Sequence, residues 1–281
     1  MELSIITINY NNKDGLQKTI DSVISQTWRD FEWIVIDGGS TDGSKELMEK
    51  YQDHFAYWCS EPDKGIYNAM NKGIAKAQGE YCLFLNSGDN LHDHNVLGRV
   101  FNNVFSADVI YGDVNFLLTD INWVNKYPDK LSTHFFLANT IGHPGSFIKR
   151  SLFQEGGYPE NLKIASDYYY FLKWFREGKT FSHIDLIVSD YDTSGVSSTN
   201  NDLMEKETDS VRDEICGIEN KEWVSESIRL YRELDTYRND GIIRLYKGIK
   251  KRGGLRLALL YKIMKFFIKT IKLEQKCAHY I

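Results

Sequence analysis

Phe31-Glu-Trp-Ile-Val-Ile-Asp37-Gly-Gly-Ser-Thr-Asp42 and Tyr81-Cys-Leu-Phe-Leu-Asn86-Ser-Gly-Asp89 share one pattern: a short apolar run ending in a polar loop that carries carboxylates. A run of this length, bounded by Gly, Ser and Asp, reads as a strand buried on both faces. In an open α/β sheet, ligands bind outside the carboxyl ends of the strands. Two such ends that both carry acids read as two halves of one site, and a charged ligand is the natural occupant.

Working outward, the first 90 residues alternate strand and helix signals. Leu3 to Asn9 is a β-branched apolar run, broken by Asn9-Tyr-Asn-Asn-Lys-Asp-Gly15 before a helical stretch to about Gln26. Thr41-Asp42 can cap a helix to about Asp53, Ala56 to Ser60 reads as a strand, and Gly65 to Gln78 as a helix. This alternation implies parallel pairing through right-handed crossovers, hence an α/β fold with a doubly wound sheet. From about residue 107 the pattern changes. Asp108 to Phe116 and Asn122 to Lys126 read as strands of a mixed-sheet half, Ser166 to Glu177 as an aromatic-rich helix, and Phe181 to Ser189 as another strand. Residues 202 to 273 look mostly helical.

Composition narrows the class. The 281 residues are 42% hydrophobic, enough for one sizeable core with an appendage. Cys59, Cys82, Cys216 and Cys277 lie far apart without a Cys-x-x-Cys pair, so neither zinc nor a disulfide framework is indicated, and a reducing compartment fits. The N-terminus lacks the basic region of a signal peptide, and no segment offers the roughly 18 uninterrupted apolar residues of a spanning helix. The net charge of -5 hides two blocks: residues 241 to 281 hold eleven Lys and Arg against one acid, Glu274, so the rest of the chain is strongly acidic. No nucleic-acid partner is expected.

Four loops could carry chemistry. Thr7, Asn9 and their neighbours can offer the hydrogen-bonding pattern of a nucleobase edge, although Asn-rich segments also form plain turns. No Gly-x-Gly-x-x-Gly follows the first strand, so the dinucleotide fingerprint is absent. Asp37 can accept from a ribose or a pyrimidine N–H, and Gly38 and Gly39 allow close approach; a helix-entry loop explains them equally well. Glu61-Pro-Asp63-Lys-Gly65 can be a turn and cap, or can bring Asp63 into the same pocket. Asn86-Ser-Gly-Asp89 is either a tight turn or a divalent-ion loop, because one carboxylate with phosphate oxygens and waters can complete an octahedron.

Together these segments resemble the family 2 inverting glycosyltransferases of GT-A fold, in the branch that builds bacterial surface polysaccharides. The resemblance is carried by Ser4-Ile-Ile-Thr-Ile-Asn-Tyr-Asn11, Ile34-Val-Ile-Asp-Gly-Gly-Ser-Thr-Asp-Gly43, Glu61-Pro-Asp-Lys-Gly-Ile-Tyr-Asn-Ala-Met-Asn-Lys-Gly73, Gly79-Glu-Tyr81 and Leu85-Asn-Ser-Gly-Asp89. It continues through His143-Pro144, Lys149-Arg-Ser-Leu-Phe153, Leu162-Lys-Ile-Ala-Ser-Asp167 and Gly195-Val-Ser-Ser198, in order, over about residues 2 to 200. It implies a Rossmann-like mixed sheet flanked by helices: a catalytic domain over 1–200, with a nucleotide-sugar half at 1–105 and an acceptor half at 106–200, then a helical extension over 201–281. It carries Thr7, Asn9, Asp37, Asp63, Asn71, Ser87 and Gly88 into donor binding, Asp89 into binding a divalent cation (Mn or Mg), and His143 into the acceptor pocket. Asp167 inherits the general base, which takes the acceptor hydroxyl's proton as it attacks the anomeric carbon. Asn86 and Gly88 stand where the family often has acids. The 195–198 segment resembles a loop that closes over the diphosphate.

The implied partners are a nucleotide-sugar donor, UDP-linked in most of the family, and a glycan or lipid-linked acceptor. A non-catalytic sugar-nucleotide-binding or scaffold protein is the alternative that the depleted acidic loop suggests. In the tail, Lys262, Lys265, Lys269, Lys272 and Lys276 face one way while Leu260, Ile263, Met264, Phe267, Ile268 and Ile271 fill the other side. A basic amphipathic helix over 254–273 suits an anionic membrane surface, and its apolar face would equally suit the catalytic domain or a second copy. The expected location is the cytoplasm, with peripheral contact at the inner face of the plasma membrane.

Overall fold

Strand β1 (Leu3–Asn9) is buried along its whole length, which is why its sequence shows no polar alternation. It pairs in parallel with β2 (Phe31–Asp37) on one side and β4 (Tyr81–Phe84) on the other, and β3 (Tyr57–Ser60) extends the sheet beyond β2. The register sets Asn9 against Asp37 and Asp37 against Ser60. Three strands therefore deliver their polar ends to one level. The computed structural model describes residues 1–103, 106–117, 122–154, 156–193 and 200–236.

Helix α1 (Lys13–Ile24) starts at Asn12, whose side chain accepts from the Gly15 N–H, and buries Leu16, Ile20 and Val23 at helical spacing. These join Leu3, Ile5, Trp33, Val35 and Leu83 in the core on one face of the sheet, each contributing roughly 1.5–3 kcal/mol of apolar burial. Helix α2 (Ser44–Tyr51) adds Leu47 and Met48 to the same cluster. Helix α3 (Ile66–Ile74) covers Ile6: a Cβ on Gly73 would stand 2.5 Å from Ile6 Cγ2, so only glycine permits that approach. The helix ends four residues before the sequence-based expectation because the Gln78 and Gly79 N–H groups turn to donate to the Glu32 carboxylate.

The second half adds β5 (Asn90–Leu91), α4 (Val96–Phe101), β6 (Val109–Leu117), β7 (Asn122–Asn125), α5 (Thr133–Ala138), β8 (Ser146–Lys149), α6 (Ser166–Arg176), β9 (Phe181–Asp192), α7 (Asn201–Cys216) and α8 (Lys221–Thr236). The sheet order is β3-β2-β1-β4-β8-β6-β9-β5, with β7 beside β6. Strand β8 runs antiparallel to both β4 and β6, while β6 and β9 are parallel, so the sheet is mixed as expected. Strand β9 runs three residues past the expected end at Ser189. Its polar Asp190-Tyr-Asp192 stays in the ladder because β6 pairs with all three positions and β5 pairs with Asp190.

The chain divides into two units, Met1–Ser227 and Ile228–Ile281. Among the described residues no helix is long and apolar enough to cross a membrane, and Cys59, Cys82 and Cys216 are free of disulfides. The basic stretch 254–273 and the Gly195-to-Ser198 loop lie outside the described residues.

Candidate active site

The carboxylate of Asp37, fully buried, organises the first two loops. Its Oδ1 accepts from Asn9 Nδ2 at 2.7 Å and the Ser40 hydroxyl at 2.5 Å, and its Oδ2 from the Gly39 and Ser40 N–H groups and the Ser60 hydroxyl. Burial alone would raise its pKa, but the bonds from Ser40, Ser60 and Asn9 outweigh it and hold the carboxyl below its usual value. Five donors use up the accepting capacity of a carboxylate. The unengaged acceptor lies one strand over: Asn9, with Nδ2 committed to Asp37, keeps a buried Oδ1 that has no partner. Thr7 sits beneath this layer, fully buried, its hydroxyl accepting from the Trp33 indole N–H at 3.0 Å.

The third loop arrives alongside. A Cβ on Gly38 would stand 2.6 Å from Asp63 Oδ2 and 3.1 Å from the Tyr10 ring. Tyr10 leaves 67% of its surface exposed. An exposed ring over a glycine and beside a carboxylate is a platform on which a flat heterocycle can stack.

The acidic loop is tied to the first. The Ser87 N–H donates to the Ile8 carbonyl, Asn12 Nδ2 donates to the Ser87 carbonyl, and Thr19 Oγ1 accepts from the Gly88 N–H while donating to the Asp89 carbonyl. Asp89 is 4% exposed, and its Oδ1 accepts from the Asp192 N–H at 3.1 Å. Burial, reinforced by the Asp192 carboxylate, pushes its pKa up to about 8. Gly88, at φ +107°, leaves the space between the acids: a Cβ there would come within 2.9 Å of Asp192 Oδ2. Two neighbouring carboxylates offer the hard oxygen ligands that a divalent cation such as Mg or Mn takes. Among the described residues no group of three or more His, Cys, Asp or Glu converges, so donor phosphate oxygens and water would have to fill the remaining positions.

Asp167 is half-buried in the first turn of α6. Its Oδ1 accepts from the Tyr67 hydroxyl at 3.3 Å. His143 is buried, bonded through Nε2 to the Tyr158 hydroxyl at 2.8 Å and stacked on Phe84 at the end of β4. Burial lowers its pKa, with Asp167 pulling the other way, so the ring is neutral at pH 7. Asn71 brackets Tyr158: its Oδ1 accepts from the Tyr158 N–H and its Nδ2 donates to the Tyr158 carbonyl and to Glu160. Its amide thus anchors the loop ahead of α6.

Of the residues singled out in the sequence, the structure gathers Asn9, Asp37, Asp63, Ser87, Gly88 and Asp89 around the ends of β1, β2 and β4. Thr7 is buried inside the sheet, and Asn71 is bonded to the Tyr158 backbone and Glu160 instead. Sequence reasoning missed Asp192, Tyr67, Tyr10 and Glu207. Tyr10 and Tyr67 stood inside quoted motifs, whereas Asp192 and Glu207 gave no local signal.

A family model described as glycosyl transferase family 2 matches residues 4–155. An uncharacterised glycosyltransferase of Mycobacterium tuberculosis is 35% identical over 70% of this chain and 77% of its own length. A PGL/p-HBAD biosynthesis glycosyltransferase of Mycobacterium bovis is 30% identical over 73% of this chain and 81% of that protein. Among solved structures, residues 1–349 of S. aureus TarS in complex with UDP-GlcNAc superpose with a TM-score of 0.63 at 19% identity, covering 86% of this chain and 75% of that one. The mannosyltransferase PcManGT of Pyrobaculum calidifontis, in complex with GDP-Man and Mn2+, gives 0.55 at 17%, covering 68% and 56%. These structures share the GT-A architecture, and the chain belongs to glycosyl transferase family 2.

Proposed function

We propose that this protein transfers a sugar from a UDP-linked donor to a hydroxyl of a glycan or lipid-linked acceptor, inverting the anomeric centre. The observation that carries the reading is the buried Asp89 beside Asp192 across the side-chain-free space at Gly88. A divalent cation held by these two carboxylates would offset charge on the departing diphosphate.

The chain's own residues then divide the work. The unpartnered Asn9 Oδ1 accepts a nucleobase N–H, while Tyr10 stacks on the base and Asp63 reaches the ribose. Asp37 keeps the Asn9 amide in one orientation. Thr7 supports the layer from below, and the Ser87 and Gly88 backbone approaches the diphosphate. Asp167 takes the proton of the acceptor hydroxyl as its oxygen bonds to the anomeric carbon and the bond to the diphosphate breaks. A single displacement inverts the configuration. His143, neutral, shapes the acceptor side, and Asn71 holds the loop that precedes α6. The UDP preference is supported by the TarS structure, which contains UDP-GlcNAc.

The test is a panel of UDP- and GDP-sugars incubated with protein and Mn2+, scored for nucleotide release. A UDP-sugar should be consumed, and Asp167→Asn should lower release by about 100-fold or more, the weight of a general base, while leaving donor affinity nearly intact. Binding without release from any donor would favour the non-catalytic alternative, and near-normal release by Asp167→Asn would remove the base from Asp167.

A further inference from the structure

Helix α6 has an unusual start. Its N-cap, Ala165, has no side chain able to cap, yet the first N–H groups of a helix lack partners within it. Two residues from distant elements hold the three N–H groups that lead into it and the first of its own. Glu207, in α7 and 8% exposed, accepts the Lys163 N–H on Oε1 at 2.8 Å and the Ile164 and Ala165 N–H groups on Oε2 at 2.9 and 3.1 Å. The Tyr67 hydroxyl, on α3, accepts the next N–H, that of Ser166, at 3.0 Å. Four successive backbone donors are thereby satisfied from outside the helix.

Having accepted from Ser166, the Tyr67 hydroxyl directs its own proton to Asp167 Oδ1 at 3.3 Å. The phenol is 6% exposed, and burial, with Asp167 next in weight, raises its pKa well above the usual tyrosine value, so it stays protonated and can only donate to the carboxylate. Its ring is wedged against Tyr158 at 5.5 Å between centroids. One oxygen of Asp167 is therefore pinned. Helix α7 is tied to α6 a second time, through Arg212 Nε donating to the Tyr168 hydroxyl at 3.1 Å.

We infer that Tyr67 is the positioning residue of the base, and that Glu207 fixes the backbone from which the base projects, making α7 part of the catalytic apparatus. This rests on Asp167 being the base. Base catalysis requires the accepting oxygen within hydrogen-bond reach of the hydroxyl, and a misplacement of about 1 Å can cost on the order of 100-fold in rate.

The experiment uses the full chain with Mn2+ and whichever panel sugar nucleotide gives the fastest nucleotide release. Tyr67→Phe keeps the ring and removes only the hydroxyl. It should lower kcat by about 10- to 100-fold, with the donor Kd changed less than about twofold, and should cause no further loss in an Asp167→Asn background. Tyr170→Phe removes another buried hydroxyl from the same aromatic cluster, one that donates to the Gly156 and Gly157 carbonyls and not to Asp167. It should lower the melting temperature and leave kcat within about twofold, separating positioning from packing. Glu207→Gln, which weakens the backbone clasp without changing shape, should lower kcat by about 3- to 10-fold at unchanged donor Kd. Wild-type kcat in Tyr67→Phe, with Asp167→Asn inactive, would overturn the positioning role and leave the base standing. Additive losses in the double variant would also overturn it, and wild-type turnover in Glu207→Gln would remove α7 from the apparatus. Normal turnover in Asp167→Asn would overturn the base and this inference together.

Discussion

Replacing Asp89 by Asn should stabilise the metal-free protein at alkaline pH and abolish its response to Mn2+, opposite consequences of removing one charge. Asp89 is folded into a site that raises its pKa to about 8, by burial first and then by Asp192, against an ordinary value of 3.8. Between those values the native state holds a proton that the unfolded chain releases, so stability falls as pH rises from about 4 and levels off above 8. At pH 7 the cost of keeping Asp89 buried is at most about 4 kcal/mol, taking 1.36 kcal/mol per pH unit above 3.8. Asn keeps the shape: its Oδ1 can still accept from the Asp192 N–H, and its Nδ2 carries no charge to oppose the Asp192 carboxylate. With part of the ceiling lost to water entry, a gain of about 1–3 kcal/mol is expected near pH 8, or about 2–5 °C in melting temperature at this chain length. At pH 5 the gain should shrink to at most about 1.6 kcal/mol, because the pH then lies only a little above the value at which the unfolded chain releases the proton. Melting curves of both proteins in EDTA and in Mn2+, from pH 5 to 8.5, check each part. In the wild type Mn2+ should stabilise more at pH 8 than at pH 5, because the cation replaces a proton. The reasoning fails if the Asn variant is less stable than the wild type at pH 8 in EDTA, or if Mn2+ stabilises both alike.

Asp37→Ala leaves the Ser40 and Gly39 N–H groups, two hydroxyls and the Asn9 amide without their acceptor, and should cost about 3–5 kcal/mol in urea unfolding. Because the folded carboxyl is held below its usual value, that contribution is complete at neutral pH and should fade as pH falls below about 4; an unfolding free energy of the variant within 1 kcal/mol of wild type, roughly the worth of one ordinary hydrogen bond, would contradict the assignment. Gly88→Ala puts a Cβ within 2.9 Å of Asp192 Oδ2 at φ +107°. It should cost about 1–3 kcal/mol in backbone strain and, in titration calorimetry, remove most Mn2+-dependent donor binding; unchanged binding would place the cation elsewhere. Tyr10→Ala should weaken donor binding by about 5- to 100-fold, the worth of one stacked base, with kcat nearly unchanged, and a fall in kcat at constant Kd would argue against stacking.

The parallel half was legible in the sequence because its strands are buried on both faces. Leu3 to Asn9, Phe31 to Asp37 and Tyr81 to Phe84 are therefore mostly apolar, and they end abruptly where the loops begin. The acids and amides at those ends were readable for the same reason. What escaped were residues whose function depends on a partner far along the chain. Tyr67 meets Asp167 across 100 positions, and Glu207 meets Lys163, Ile164 and Ala165 across 42 to 44. Neither leaves a local period or a turn signal. Asp37 was visible as a candidate, but its five internal donors, and hence the accepting role left to Asn9, depend on how Ser40 and Ser60 fold back over it.

Asp192 changes the meaning of the acidic loop. From sequence, Asn86-Ser-Gly-Asp89 looked depleted, with one carboxylate where relatives often carry more. The fold supplies a second carboxylate from β9, 103 positions away, and it does so because a polar segment that reads as a loop is kept in register by β5 and β6. The glycine that looked like a missing acid is then the condition for the second acid's approach, since a side chain at position 88 would meet the Asp192 carboxylate. An amide at position 86 follows the same logic. With Asp89 already driven up to about 8 by burial and its neighbour, another acid in this short loop would add repulsion to carboxylates that already oppose each other. Asn86 and Gly88 are therefore better understood as the counterpart of Asp192 than as losses, two carboxylates drawn from two elements in place of several drawn from one.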